Sequence, residues 1–113
     1  MAVAGAKARI IAAVEGREEV EIRPHRYGGL EFRLGKRELG HIHGDALVDI
    51  PFPKAVRDEI VGAQEAEPHH ILPNSGWVSI FLRTNADVER ALALLERSFQ
   101  LALARRKTAA AAR

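Results

Sequence analysis

The stretch "GHIHGDALVDIPFP", residues 40–53, decides how this chain folds. Ile42 lies between His41 and His43, and Val48 and Ile50 flank Asp49. Apolar and polar residues alternate, which is the period of a half-buried strand. Gly44-Asp45 suits a tight two-residue turn between two such strands. A connection this short forces an antiparallel pair. With two turn residues, His43 lies opposite Ala46, Ile42 opposite Leu47 and His41 opposite Val48. This register predicts that Asp49 shares the Ile42 and Leu47 face, away from the histidines. Pro51-Phe52-Pro53 then ends the strand, and Pro53 suits the first turn of a helix.

The pattern extends in both directions. Val20 and Ile22 alternate with Glu19, Glu21 and Arg23, and Leu30, Phe32 and Leu34 alternate with Glu31 and Arg33. Gly28-Gly29 and Gly35-Lys36 supply the reversals, so four strands form an antiparallel meander. Before them, "AKARIIAAVE" at 6–15 places Ile10, Ile11 and Val14 on one side of a short helix that Gly16 stops. After them, a helix runs from Pro53 to about Gln64 with Val56 and Ile60 inward. A strand around "PHHIL" and the turn Pro73-Asn74-Ser75-Gly76 follow. In "WVSIFLR" Val78, Ile80 and Leu82 face one way, and Trp77 and Phe81 the other. Thr84-Asn85-Ala86-Asp87 is a capping box, and Val88, Ala91, Leu92, Leu95, Phe99, Ala102 and Leu103 continue at helical spacing. The predicted order is α-β-β-β-β-α-β-β-α. That order defines an α+β domain, an antiparallel sheet with helices packed on one face.

The chain has 113 residues and no cysteine, which excludes disulfides, thiolate catalysis and cysteine metal sites. Lys7 and Arg9 interrupt the apolar run that a signal peptide would need. No stretch reaches the length of a membrane span, and the expected setting is the cytoplasm. The formal net charge is +2, but it is unevenly placed. Residues 1–104 are slightly acidic, and "RRKTAAAAR" carries the excess of basic groups. The expected organisation is one domain over 1–104 and a basic, frayed tail over 105–113. Such a distribution argues against nucleic acid, whose partners carry basic charge on the folded surface.

The chemistry-bearing residues are chiefly histidines. In a strand His41 and His43 share a face, with Cβ atoms about 6–7 Å apart. That spacing suits two ligands of one divalent metal ion, an acid–base pair, or two polar groups on the wet side of a sheet. Asp45 and Glu38 are the nearest carboxylates by local geometry, and His69 or His70 would complete a three-ligand site. Asp49 reads as a buried acceptor or as a general base. Ser75 belongs to ordinary turn chemistry, and Trp77 beside it can wall a pocket. No nucleophile elbow and no phosphate-binding loop is present.

The run from "GHIHGD" through "DIPFP", "AEPHH" and "SGWVS" to the last helix resembles the luciferase-domain family. The resemblance covers residues 38 to about 103. It implies no defined reaction, cofactor or substrate, and no flavin or luciferin site is evident. Positions matching its motifs are His41, His43, Asp45, Asp49, His69, His70, Ser75 and Trp77. The segment from Trp77 to Ala102 is more distantly similar to YjbR-like proteins, compact α+β domains often described as DNA-binding. Three functions follow as expectations. The first is a module that binds a small molecule or a protein through a His-lined sheet face. The second is a metal-assisted or acid–base enzyme using His41, His43 and a carboxylate. The third is YjbR-like binding of nucleic acid through the basic tail.

Overall fold

In the computed structural model, residues 2–25 and 27–111 are described. The elements are α1 (Ala6–Glu15), β1 (Val20–Pro24), β2 (Leu30–Leu34), β3 (Arg37–His43), β4 (Leu47–Pro51), α2 (Lys54–Gly62), β5 (Glu67–Pro68), β6 (Trp77–Phe81) and α3 (Asn85–Ala111). The strands form one sheet in the order β1-β2-β3-β4-β6-β5, and all neighbours are antiparallel. The fold is the expected α+β architecture. The helices cover one face, where Phe32, Ile42, Val48, Ile50, Val78 and Ile80 pack against Val88, Ala91, Leu95 and Phe99 of α3. The other face carries the polar residues of the alternation.

Two irregularities set which side chains reach that polar face. The first is the β3–β4 connection. His41 pairs with Asp49, Ile42 with Val48 and His43 with Leu47. Three residues, 44–46, therefore make the reversal, and the two-residue turn expected from Gly44-Asp45 does not form. Asp45 is drawn toward α1, where its Oδ1 accepts the Lys7 backbone N–H at 2.8 Å and its carbonyl accepts that of Val3 at 3.2 Å. One added residue changes the phase of the whole of β4. Val48 and Ile50 join Ile42 in the core, all with zero exposure, and Asp49 moves to the histidine face. The predicted register would instead have set a carboxylate among core side chains, which burial disfavours.

The second irregularity is a bulge. Phe32 pairs with Gly40 but Arg33 pairs with Glu38, which leaves Leu39 as the extra residue. Leu39 is buried, and its carbonyl accepts the Ser98 hydroxyl of α3 at 2.9 Å. Glu38 and His41, three apart in the chain, consequently share a face. Gly40 allows α3 to approach, since a Cβ there would lie 2.9 Å from Leu95 Cδ2 and 3.0 Å from the Asp49 carbonyl.

Two further expectations are modified. The strand predicted around "PHHIL" is confined to Glu67–Pro68, and His69 and His70 lie beyond its end. The last helix starts at its capping box, with Asp87 N–H on Thr84 Oγ1 at 3.3 Å and Thr84 N–H on Asp87 Oδ2 at 2.9 Å. It continues to Ala111, so residues 105–111 of the basic segment are helical. Residues 112 and 113 lie outside the described residues.

Candidate functional site

Asp49 occupies the middle of the polar face, on β4 between β3 and β6, and is fully buried. Its Oδ1 accepts the Ser79 hydroxyl at 2.7 Å. Ser79 Oγ in turn accepts the His70 backbone N–H at 3.1 Å, which directs the hydroxyl proton toward the carboxylate. Four imidazoles surround Oδ2. The Nε2 atoms of His41 and His70 lie at 3.1 Å, that of His43 at 3.5 Å and that of His69 at 3.6 Å. Trp77 walls the cluster, its ring 5.2 Å from the His41 ring and 5.8 Å from that of His69.

The second nitrogen of each ring defines what that ring can do. His41 Nδ1 meets Glu38 Oε2 at 2.6 Å, so Nδ1 carries a proton and Nε2 is turned toward Asp49. Burial opposes the charged form of His41, but the hydrogen bonds and charges of Asp49 and Glu38 outweigh it and raise the pKa to about 9. Burial likewise acts to raise the Asp49 pKa. Hydrogen bonds from His41, Ser79 and His70 and the nearby His69 reverse this and lower it to about 2. His69 Nδ1 accepts the backbone N–H groups of Ile71 at 3.1 Å and Leu72 at 3.0 Å. Burial favours its neutral form, and the His70 and His41 charges add to it against the opposing charge of Asp49. A neutral ring with Nδ1 accepting must carry its proton on Nε2, so His69 is an N–H donor facing Asp49. His43 is also held toward the neutral form, first by burial and then by the His41 charge.

Among the described residues, three groups of donor atoms lie close enough to share an ion: His25, Glu38 and His41; His41, His43 and Asp49; and Asp49, His69 and His70. In the first group Glu38 already hydrogen-bonds His41 Nδ1. The third uses the protonated Nε2 of His69. The second offers a nitrogen of His43, Oδ2 of Asp49 and, once the ion displaces the proton it shares with Asp49, Nε2 of His41, with Glu38 behind His41 as an orienting carboxylate. Carboxylate–histidine pairs of this kind support metal-ligating rings.

Of the residues singled out from sequence, His41, His43, Asp49, His69, His70 and Trp77 are brought together. Asp45 lies apart, on the start of α1. Ser75 closes its turn, donating to the Leu72 carbonyl at 2.7 Å and accepting the Trp77 N–H at 3.1 Å. Sequence reasoning missed Ser79, although alternation with Trp77 and Phe81 places it on the polar face. It also missed His25, whose ring stacks 4.0 Å from that of His41. No local pattern signals His25, because the β1–β2 reversal brings it over β3.

A helix-backed antiparallel sheet with a histidine–carboxylate cluster on its open face is the class of protein that this fold and site define. The Luciferase domain family model matches residues 36–98, more than half of the chain, and the chain belongs to that family. The matched span includes β3, β4, β6 and the whole cluster apart from His25. No curated protein and no solved structure matches the chain. The likeness to YjbR-like proteins has no match behind it.

Proposed function

We propose that this domain binds one divalent transition-metal ion on its open sheet face through His41, His43 and Asp49. The observation that carries the reading is the set of three ligand atoms, two imidazole nitrogens and one carboxylate oxygen, within 4.8 Å of one another. Mixed imidazole and carboxylate donors suit zinc, iron, cobalt or nickel better than magnesium or calcium. A single ion follows from the surroundings of Asp49. Ser79 occupies Oδ1, and the three groups share His41 or Asp49, so one ion takes the ligands that a second would need.

Three protein donors leave coordination positions for water or a substrate, the arrangement of metal-assisted catalysis. The side chains of His43 and His70 are 31% and 32% exposed, which opens the site toward solvent on that side. That exposure favours, as a second reading, an enzyme whose substrate reaches the ion past these two rings.

Calorimetric titration of the full chain with zinc, nickel and cobalt tests the proposal. Binding at one ion per chain, tighter than micromolar, and lost in both His43→Ala and Asp49→Asn, is the expected result. Absence of heat, together with no visible cobalt absorption from a low-symmetry site, would remove the metal reading.

A further inference from the structure

We propose that the end of the molecule formed by the β2–β3 reversal and the last turns of α3 binds the phosphate backbone of a double-stranded nucleic acid. Five cations meet there from two elements: Lys36 and Arg37 on the reversal, and Arg105, Arg106 and Lys107 on α3, all exposed. A Cβ added to Gly35 would lie 3.7 Å from the Arg106 guanidinium, so helix and reversal are neighbours. Burial lowers the Arg37 pKa and the Arg105 charge adds to it, so the two guanidinium groups are near enough to interact.

Charge pairing elsewhere makes this end distinctive. Among the described residues, every arginine outside it is in an ion pair with a carboxylate: Arg9 with Glu89, Arg17 with Glu96, and likewise Arg23, Arg33, Arg57, Arg83, Arg90 and Arg97. Among the described residues, none of the five cations has a carboxylate partner. The linear sequence confines the basic excess to the final segment. The fold adds the reversal to it and makes one surface.

Unpaired like charges at fixed positions complement a polyanion. Three of the five are arginines, whose planar fork matches phosphate oxygens. Among the described residues, the patch has no exposed aromatic side chain on which an unpaired base would stack, which favours a duplex over a single strand. Beyond small residues such as alanine it has nothing apolar to enter a bilayer, which disfavours a membrane. This inference is independent of the metal site.

Fluorescence anisotropy of a labelled 20-base-pair DNA duplex, titrated with the full chain, tests it. Binding is expected at 50 mM salt and should weaken about 100-fold by 200 mM, the response to roughly four neutralised phosphates. Arg37→Ala and the pair Arg105→Ala, Arg106→Ala should each weaken binding and flatten the salt dependence, and Lys7→Ala should change neither. Circular dichroism of each variant confirms that the fold is retained. No binding at 50 mM, or an Arg37→Ala variant that binds as the wild type does, would overturn the proposal. Equal or tighter binding to vesicles containing phosphatidylserine would overturn it in favour of a membrane.

Discussion

Glu38 Oε2 and His41 Nδ1 lie 2.6 Å apart although the two residues are three positions apart on one strand. In a regular strand residues i and i+3 point to opposite faces. The Leu39 bulge removes that difference, and it joins the histidine cluster to a second carboxylate behind it.

The Glu38→Gln variant should bind the proposed metal about 10- to 100-fold more weakly than wild type, the usual cost of losing an orienting carboxylate. Calorimetry under the conditions used for wild type measures this. Unchanged affinity would show that His41 is oriented without Glu38.

Ser79→Ala should destabilise the metal-free protein by about 1–3 kcal/mol. Asp49 Oδ1 loses its hydroxyl donor while fully buried, and the His70 N–H loses its acceptor. Urea denaturation of chelator-treated protein gives the difference. Equal midpoints would mean that water replaces the hydroxyl.

Stability of the metal-free protein should pass through a maximum near pH 6.5, with the two sides set by different histidines. The pKa of His41 is raised from 6.5 to about 9, so its contribution is present below 6.5 and is lost as the pH rises to about 9. This contribution is on the order of 3 kcal/mol at most. His43 and His69 are lowered, so theirs is present above 6.5 and declines as the pH falls below it. Asp49, lowered from 3.8 to about 2, adds a further loss as the pH falls from 3.8 toward 2. The His41–Asp49 contact enters both shifts, so their contributions are not additive. Denaturation midpoints from pH 3 to 10 test the shape. A stability that climbs steadily from pH 6.5 to 9 would contradict the charged state of His41.

Gly76→Ala should lower the melting temperature by roughly 5–10 °C, as expected for overpacking that costs about 1–3 kcal/mol. A Cβ at this position would lie 2.1 Å from the Phe52 carbonyl oxygen, a backbone atom that cannot swing aside. The Phe52 N–H also donates to the Gly76 carbonyl at 3.0 Å, so the clash falls on the contact that starts β6 beside β4. Differential scanning calorimetry measures the shift. A wild-type melting temperature would show that the backbone there moves freely.

The sequence by itself determined the class of fold. Period-two alternation, short reversals and a capped amphipathic helix specify strands, antiparallel pairing and a helix-covered face, because each is a local consequence of side-chain spacing. The candidate site was legible only in part. His41 and His43 share a face by their spacing alone, whereas Asp49 was read onto the wrong face. Its placement depends on the number of residues in the 44–46 reversal, and that number is set by the attachment of Asp45 to α1, a contact 38 residues away in the chain. Glu38 depends on a bulge that α3 supports through Ser98 and the close approach at Gly40. His25, His69, His70 and Ser79 reach the cluster from three other segments. Only the tertiary structure decided their meeting, because strand phase and loop position answer to packing between distant elements rather than to the residues beside them.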